Sequence, residues 1–414
     1  MTQETVLILT ASGGGGLLQA AAAKKQEILL KNPSARVLTK DLLASDKWNW
    51  LGKFGVVAWN QSQRHGTVLG QNLLAYFQAI AEYLFWPQFY FETLHLLQKE
   101  NIDRVIDTQP LASGATLQAI QTYNKISGKK LILEKFIVDL PTKKATHFFR
   151  SIRRLSPSLK EMIKVITVEP LLEPNQTAEE FWQKHCNLSE KSICYEKYPI
   201  RQGFKNYMGK EKPKVPFPIF IQTNRDEKKT IQKTTQKGFI SSQDNENGLV
   251  FTIDPNDFVA VILLGSQPSE NSTYRYVENF ILEGQKRIGK KTALFVYCAE
   301  HLPKKNCLFS RVHHLVANHP SYPKDLSVIP FSSQEDDVIA SLYHRSDLTI
   351  TRSGGQTGME LMALAKGKTW IHSESKSDKD IMKGMPCWEA ESAIYLVEKC
   401  KGKIVTPHSF INHL

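Results

Sequence analysis

Residues Leu348–Gly367 read LTITRSGGQTGMELMALAKG. Leu348 to Ile350 is a short apolar run of strand character. Arg352-Ser353-Gly354-Gly355 breaks it. Thr357 to Ala365 then resumes with the period of a helix. A strand, a glycine turn and a helix start make an anion site. The first N–H groups of a helix have no partners, and its dipole favours negative charge there. Gly354 and Gly355 let a phosphate approach the backbone. Glu360 sits about one turn inside, where its carboxylate accepts hydroxyl hydrogen bonds from a ribose beside the phosphates. The competing reading is an ordinary strand–helix turn with Glu360 in solvent.

The chain around this stretch has 414 residues, more than one ordinary core holds, so two domains are expected. Aromatic residues make up 10% and the composition is that of a globular protein. No apolar run reaches the roughly 18 residues of a membrane span. The first residues, MTQETVLILTASGGGG, lack a basic segment and read as a buried strand, not a signal peptide. The six cysteines are scattered with no CxxC pair, as expected of reduced thiols in a cytoplasmic protein with neither zinc nor disulfides. The net charge of +12 reflects either a lysine-rich solvated surface or an anionic partner. The basic residues are dispersed and carry no nucleic-acid motif, so no nucleic-acid partner is expected.

Taken in order, Val6–Thr10 is a strand, followed by Gly13, Gly14, Gly15 and Gly16 and an alanine- and leucine-rich helix from Leu17 to Leu30. This second glycine loop matches neither a P-loop nor a dinucleotide fingerprint. Ala35–Leu38 is a second strand. Trp48–Phe91 is dense in aromatic residues and reads as a buried helical face or as an amphipathic flap for a bilayer surface. Arg104–Asp107 and Leu131–Val138 are strands. Their exits, together with the glycine loop, gather Asp107 or Gln109, Asp139 and His147 at one sheet edge, where open α/β sheets bind ligands. His147 has the chemistry of a general base or of a structural histidine. Residues 198–218 read as a linker, and 223–247 as a polar loop or insertion. Phe258–Leu264, Thr292–Cys298, Leu326–Ile329 and Trp370–His372 are further strands alternating with helices. The expectation is an α/β fold of two doubly wound, Rossmann-like domains facing a central cleft, 1–204 and 205–414.

These motifs, in this order, resemble the GT-B glycosyltransferases, and more narrowly the branch of the peptidoglycan N-acetylglucosaminyltransferase and the monogalactosyldiacylglycerol synthases. Ser353, Gly354, Thr357 and Glu360 match the family's late serine-glycine, threonine, glutamate motif. Phe331-Ser332 matches the loop that clamps the base, and Gly265-Ser266 the first phosphate-side loop. Gln109-Pro110-Leu111 stands where the lipid synthases have His-Pro-Leu, and Val138-Asp139-Leu140 with His147 resembles their VTDL…H segment. Tyr198–Phe204 is similar to the interdomain PIRPSF joint. Two positions depart from the pattern. The loop histidine of the family is here Gly16, and the sugar-binding segment reads Ser373-Glu374-Ser375-Lys376.

The resemblance implies glycosyl transfer from a UDP-sugar bound by the C-terminal half. Its donor residues are Gly265, Ser266, Phe331, Ser332, Arg352, Ser353, Gly354, Gly355, Gln356, Thr357, Glu360, Ser373 and Glu374, and no metal or other cofactor is expected. Asp139 or His147 is the implied base, while Gly13–Gly16 and Gln109 meet the acceptor, a lipid or other hydroxyl compound, at the membrane periphery. Two rivals are a UDP-sugar 2-epimerase on the same fold and a catalytically inactive binding module.

Overall fold

The computed structural model describes residues 3–13, 15–43, 50–302, 306–400 and 402–414; Gly14 and Trp48 therefore lie outside the described residues. Contacts divide the chain into two compact units. The first is Met1–Asn60 with Leu69–Arg201, and the second is Gln202–Leu414 with the short segment Gln61–Val68.

The first unit is built on a parallel six-stranded sheet. Its strands are β1 (Thr5–Thr10), β2 (Arg36–Asp41), β3 (Arg104–Asp107), β4 (Leu133–Phe136), β5 (Ile163–Thr167) and β6 (Ile193–Tyr195), in spatial order β2-β1-β3-β4-β5-β6. All six residues of β1 are buried, as a parallel strand covered on both faces must be. Helix α1 (Gly15–Lys31) returns over it, with Ala21 and Ile28 packed on Val6 and Ile8. Between β2 and β3 lie α2 (Trp50–Arg64), α3 (Val68–Leu84) and α4 (Trp86–Glu100). Helix α5 (Ser113–Ser127) packs on α4, and α6 (Thr146–Arg153) follows β4.

The second unit holds another parallel six-stranded sheet. It comprises β10 (Phe258–Leu263), β11 (Thr292–Tyr297), β12 (Leu326–Phe331), β13 (Leu348–Thr351), β14 (Lys368–His372) and β15 (Lys403–Val405), ordered β12-β11-β10-β13-β14-β15. Ahead of them, β7 (Phe217–Gln222), β8 (Ser242–Asn245) and β9 (Gly248–Ile253) form an antiparallel sheet.

Each large sheet reverses direction once. The first strand of each is flanked on both sides: the chain leaves it to one side, then crosses back over it and continues on the other. This gives a switch point between β1 and β3 in the first unit and between β10 and β13 in the second. Two sheets of this topology match the expectation of two doubly wound Rossmann-like units.

Three readings of the sequence are corrected. The segment 223–247 is not a loop. Asn224 accepts from the N–H groups of Asp226 and Glu227, and Glu227 reciprocates at the Asn224 N–H. This capping box opens α7 (Arg225–Thr235), whose Ile231 is fully buried. Likewise the end of the supposed linker 198–218 enters β7, where Ile219 and Ile221 are buried and pair with β9. The aromatic stretch is helical and only part of it is buried: Phe89 is fully buried, whereas Phe54, Tyr76, Phe77, Tyr83 and Phe91 are exposed. Among the described residues, no helix is long and apolar enough to cross a membrane.

Candidate functional site

In the first unit, the strand exits at the switch point gather a polar cluster. Asp107 ends β3 and Lys135 sits in β4, both fully buried, with Lys135 Nζ 2.7 Å from Asp107 Oδ2. Lys135 Nζ also donates to the Gln109 carbonyl, and the Gln109 N–H donates to Asp107 Oδ1 at 3.0 Å. Burial pushes the Asp107 carboxyl up, against the pull of Lys135. The pair thus fixes the Thr108–Leu111 exit. Fully buried Gln109 keeps its Oε1 without a hydrogen-bond partner among the described residues, an acceptor that a ligand hydroxyl would satisfy.

After β4, the Asp139 and His147 side chains meet, with Nε2 2.9 Å from Oδ2. Both remain partly open to solvent, at 22% and 12% exposure. Their arrangement is that of a base oriented by a carboxylate. Helix α3 braces this edge, since Gln78 Nε2 donates to the carbonyls of His147 at 2.8 Å and Pro110 at 3.2 Å. On the same helix, burial pushes the Glu82 carboxyl up, with Lys135 and Arg154 opposing it. Gly16 faces Val138, whose methyl would lie 3.9 Å from a Cβ there, while a Cβ on Gly13 would meet nothing. Arg150, Arg153 and Arg154 line an exposed face of α6 and its end.

In the second unit, the switch point falls between the exits of β10 and β13. The first exit is Gly265-Ser266-Gln267. Gly265 has φ +81°, a conformation glycine adopts without strain, and a Cβ there would sit 3.7 Å from Arg352 Cδ. The second exit is the Arg352–Gly355 turn. It leads into α10 (Gly355–Leu364), whose N-cap Gly354 is extended and offers no side chain to the first N–H groups. No acid lies in that first turn. Thr351, the last residue of β13, is fully buried with its hydroxyl unpartnered among the described residues.

Glu360 is not solvated. It is 1% exposed, and Gln356 Nε2 donates to its Oε1 at 2.7 Å. Gly358 is buried because α10 crosses α11 (Cys387–Cys400) so closely that a Cβ would lie 2.7 Å from Leu396. Arg352 is committed elsewhere: it grips Glu389 of α11 through Nη2 at 2.7 Å and Nε at 3.1 Å. Ser353 Oγ donates to the Glu389 carbonyl at 2.7 Å. What this turn presents to a ligand is therefore its backbone.

The exit of β14 carries a second network. Ser272 Oγ donates to Glu374 Oε2 at 2.6 Å, and His372 Nε2 lies 3.0 Å from Glu374 Oε1. The buried Tyr276 hydroxyl meets His372 Nδ1 at 3.1 Å. Burial alone would raise the Glu374 carboxyl. Neighbouring His372, with hydrogen bonds from Ser269 and Ser272, outweighs it and holds the group down at about 2. Ser373 Oγ is likewise turned inward, onto the Ile381 carbonyl. At the end of β12 the Phe331 carbonyl accepts from the Cys298 N–H at 2.8 Å, and the Ser332 carbonyl accepts from Gln334 Nε2 at 3.3 Å.

Two parallel six-stranded sheets with flanking helices, and an uncapped helix start at the second switch point, fit one architecture. It is a pair of doubly wound α/β units, the fold class expected from the sequence. No family model matches the chain, and no curated protein matches it. Among solved structures it is similar to Acinetobacter baumannii MurG, at 12% identity and a TM-score of 0.44, over 100% of this chain and 89% of that one. The Streptomyces sp. SF2575 glycosyltransferase SsfS6 gives 9% identity and 0.43, over 99% of each chain. UDP-GlcNAc 2-epimerase from Neisseria meningitidis, bound to UDP-GlcNAc, gives 10% and 0.42, over 98% and 95%. Likeness this distant carries no argument, and the architecture rests on the strand order seen here.

The sequence reading missed Lys135, Gln78, Glu82 and His372. A lysine inside the apolar run LILEKFIV was the available signal for the first. Gln78 and Glu82 stand in a helix whose partners are far away in sequence, and nothing local marks them.

Proposed function

We propose that the chain is a hexosyl-transferring enzyme that moves a sugar from a nucleoside diphosphate sugar, a UDP-sugar, to an acceptor hydroxyl. The observation that carries this is the coincidence of the β10/β13 switch point with an uncapped, acid-free helix start at Gly354–Thr357, one turn before the buried Glu360.

The difficult event in such a transfer is departure of the diphosphate from an oxocarbenium-like carbon. N–H groups of Gly355, Gln356 and Thr357, with the α10 dipole, would take up the charge that develops on it. Preorganised donors of this kind are commonly worth about 3 kcal/mol each in rate. Gly265 would bring the β10 exit loop against the same phosphates, and Phe331-Ser332 would border the base. Glu360 would accept from the ribose hydroxyls. Ser373 and Glu374 hold the β14 exit in shape for the sugar rather than offering free groups to it, since both side chains are engaged within the unit. In the first unit, His147 would remove the acceptor proton while Asp139 orients the ring. Gln109 Oε1 and the backbone of Gly13, Gly15 and Gly16 would border the acceptor, proposed as a lipid or another hydroxyl compound at a membrane surface.

The test is calorimetry with UDP and a product assay with UDP-sugars. Glu360→Ala is expected to weaken UDP binding at least roughly tenfold, the value of a hydrogen bond to a buried charge. Unchanged affinity would remove Glu360 from the site. Appearance of a C2 epimer instead of a glycosylated product would replace the transferase reading with the epimerase one.

A further inference from the structure

The turn between α2 and α3 belongs to the second compact unit, although most of both helices does not. It is a well-made turn. His65 N–H donates to the Gln61 carbonyl at 3.0 Å, Thr67 N–H to the Ser62 carbonyl at 2.9 Å, and Gly66 adopts φ +64°. It holds two anchor points. On one side, Arg64 Nε donates to Gln267 Oε1 at 2.5 Å. On the other, Gly66 lies so close to Glu374 that a Cβ would fall 2.6 Å from that carboxylate.

These anchors are informative because of where they sit on the sheet. Gln267 follows β10 and Glu374 follows β14, and β13 is hydrogen-bonded to both strands, between them. Two strand spacings, about 10 Å, separate β10 from β14. The segment 61–68 therefore spans the edge of the sheet from which the Arg352–Gly355 turn emerges.

Charge says what such a strap would do there. A diphosphate at the start of α10 calls for a cation. Arg352, the nearest in sequence, is held in a two-pronged pair with Glu389. Arg64 meets a neutral carboxamide instead, and no carboxylate pairs with it among the described residues. Its planar fork suits phosphate oxygens.

We propose that Arg64, carried on the 61–68 strap, clamps the diphosphate of the donor and makes the site specific for nucleoside diphosphates over nucleosides. This rests on the donor site proposed above. Gly66 is required for the strap to seat: a side chain there meets both an unfavourable φ and the Glu374 carboxylate.

Calorimetry of the full chain with UDP and with uridine tests it, on the wild type, Arg64→Ala, Arg64→Lys and Glu360→Ala. Arg64→Ala is expected to lower UDP affinity roughly ten- to hundredfold, the value of charge-assisted bonds to phosphate, and to leave uridine affinity and melting temperature unchanged. Arg64→Lys should recover only part of the loss. If Arg64→Ala binds UDP as the wild type does while Glu360→Ala does not, the donor site stands and the clamp is wrong. Equal losses for UDP and uridine, with a lowered melting temperature, would show a merely structural arginine and also overturn it. Failure of the wild type to bind UDP or any other nucleoside diphosphate would sink the donor site and the clamp together.

Discussion

Single residues here owe their chemistry to partners distant in sequence. Glu374 is the clearest case, drawn by His372, Ser269 and Ser272 to about 2. Its folded pKa lies below the unfolded value near 4.5, so its contribution to stability is present above that value. It is lost as the pH falls towards about 2. Acid titration of the melting temperature is expected to show this loss between about pH 4.5 and 2 in the wild type, on the order of 3 kcal/mol. Glu374→Gln should be less stable at neutral pH and flatter across that window, and an identical acid profile in both would refute the network. The Asp139–His147 pair makes a separate prediction. His147→Ala should lower kcat by roughly two to four orders of magnitude while UDP affinity stays unchanged. An equal loss of donor affinity would mean that His147 is not acting on the acceptor.

At the scale of elements, the strand exits and helix starts carry the site, and their packing is tight where it matters. Helix α10 reaches α11 through Gly358, with Leu396 filling the space a side chain would need. In an exposed helix, replacing glycine by a larger residue usually stabilises by up to about 1 kcal/mol. Here Gly358→Val is expected to cost about 1–3 kcal/mol, as overpacking does, and to lower UDP affinity by displacing the helix start. Adding Leu396→Ala should restore part of the melting temperature. No restoration would mean that the clash lies elsewhere. The β7–β9–β8 sheet and α7 were the elements hardest to read in advance. In β7 and β9, Ile219, Ile221, Leu249, Phe251 and Ile253 are fully buried, but polar neighbours dilute the pattern. The Asn224…Glu227 capping box was nevertheless visible at the right spacing.

For the whole molecule, the basic balance of +12 and the exposed side chains of α2, α3 and α4 set the expected behaviour towards surfaces. Leu69 is 82% and Tyr83 81% exposed. The double change Leu69→Ser and Tyr83→Ser should leave the unfolding free energy within about 1 kcal/mol of wild type, since neither side chain is in the core. The lipid-side acceptor proposed above predicts that the wild type sediments with anionic vesicles in a salt-dependent way and that this variant does so less. Equal sedimentation would detach the apolar helices from membrane binding. The sequence by itself determined the alternation of strands and helices, both glycine-loop turns, the helix that carries Glu360 and the pairing of two doubly wound units. These are local matters of apolar period, glycine and chain length, which act between near neighbours. Strand order was a tertiary decision, because it depends on which distant strands exchange hydrogen bonds, and it alone placed the switch point at Gly265 and Ser353. So were the burial of Glu360, the commitment of Arg352 to Glu389, the Lys135–Asp107 pair and the seat of Arg64 beside Gln267. In each, a charged or polar group takes its role from a partner about 30 or more residues away, or from the packing around it, and no local pattern in the chain records that.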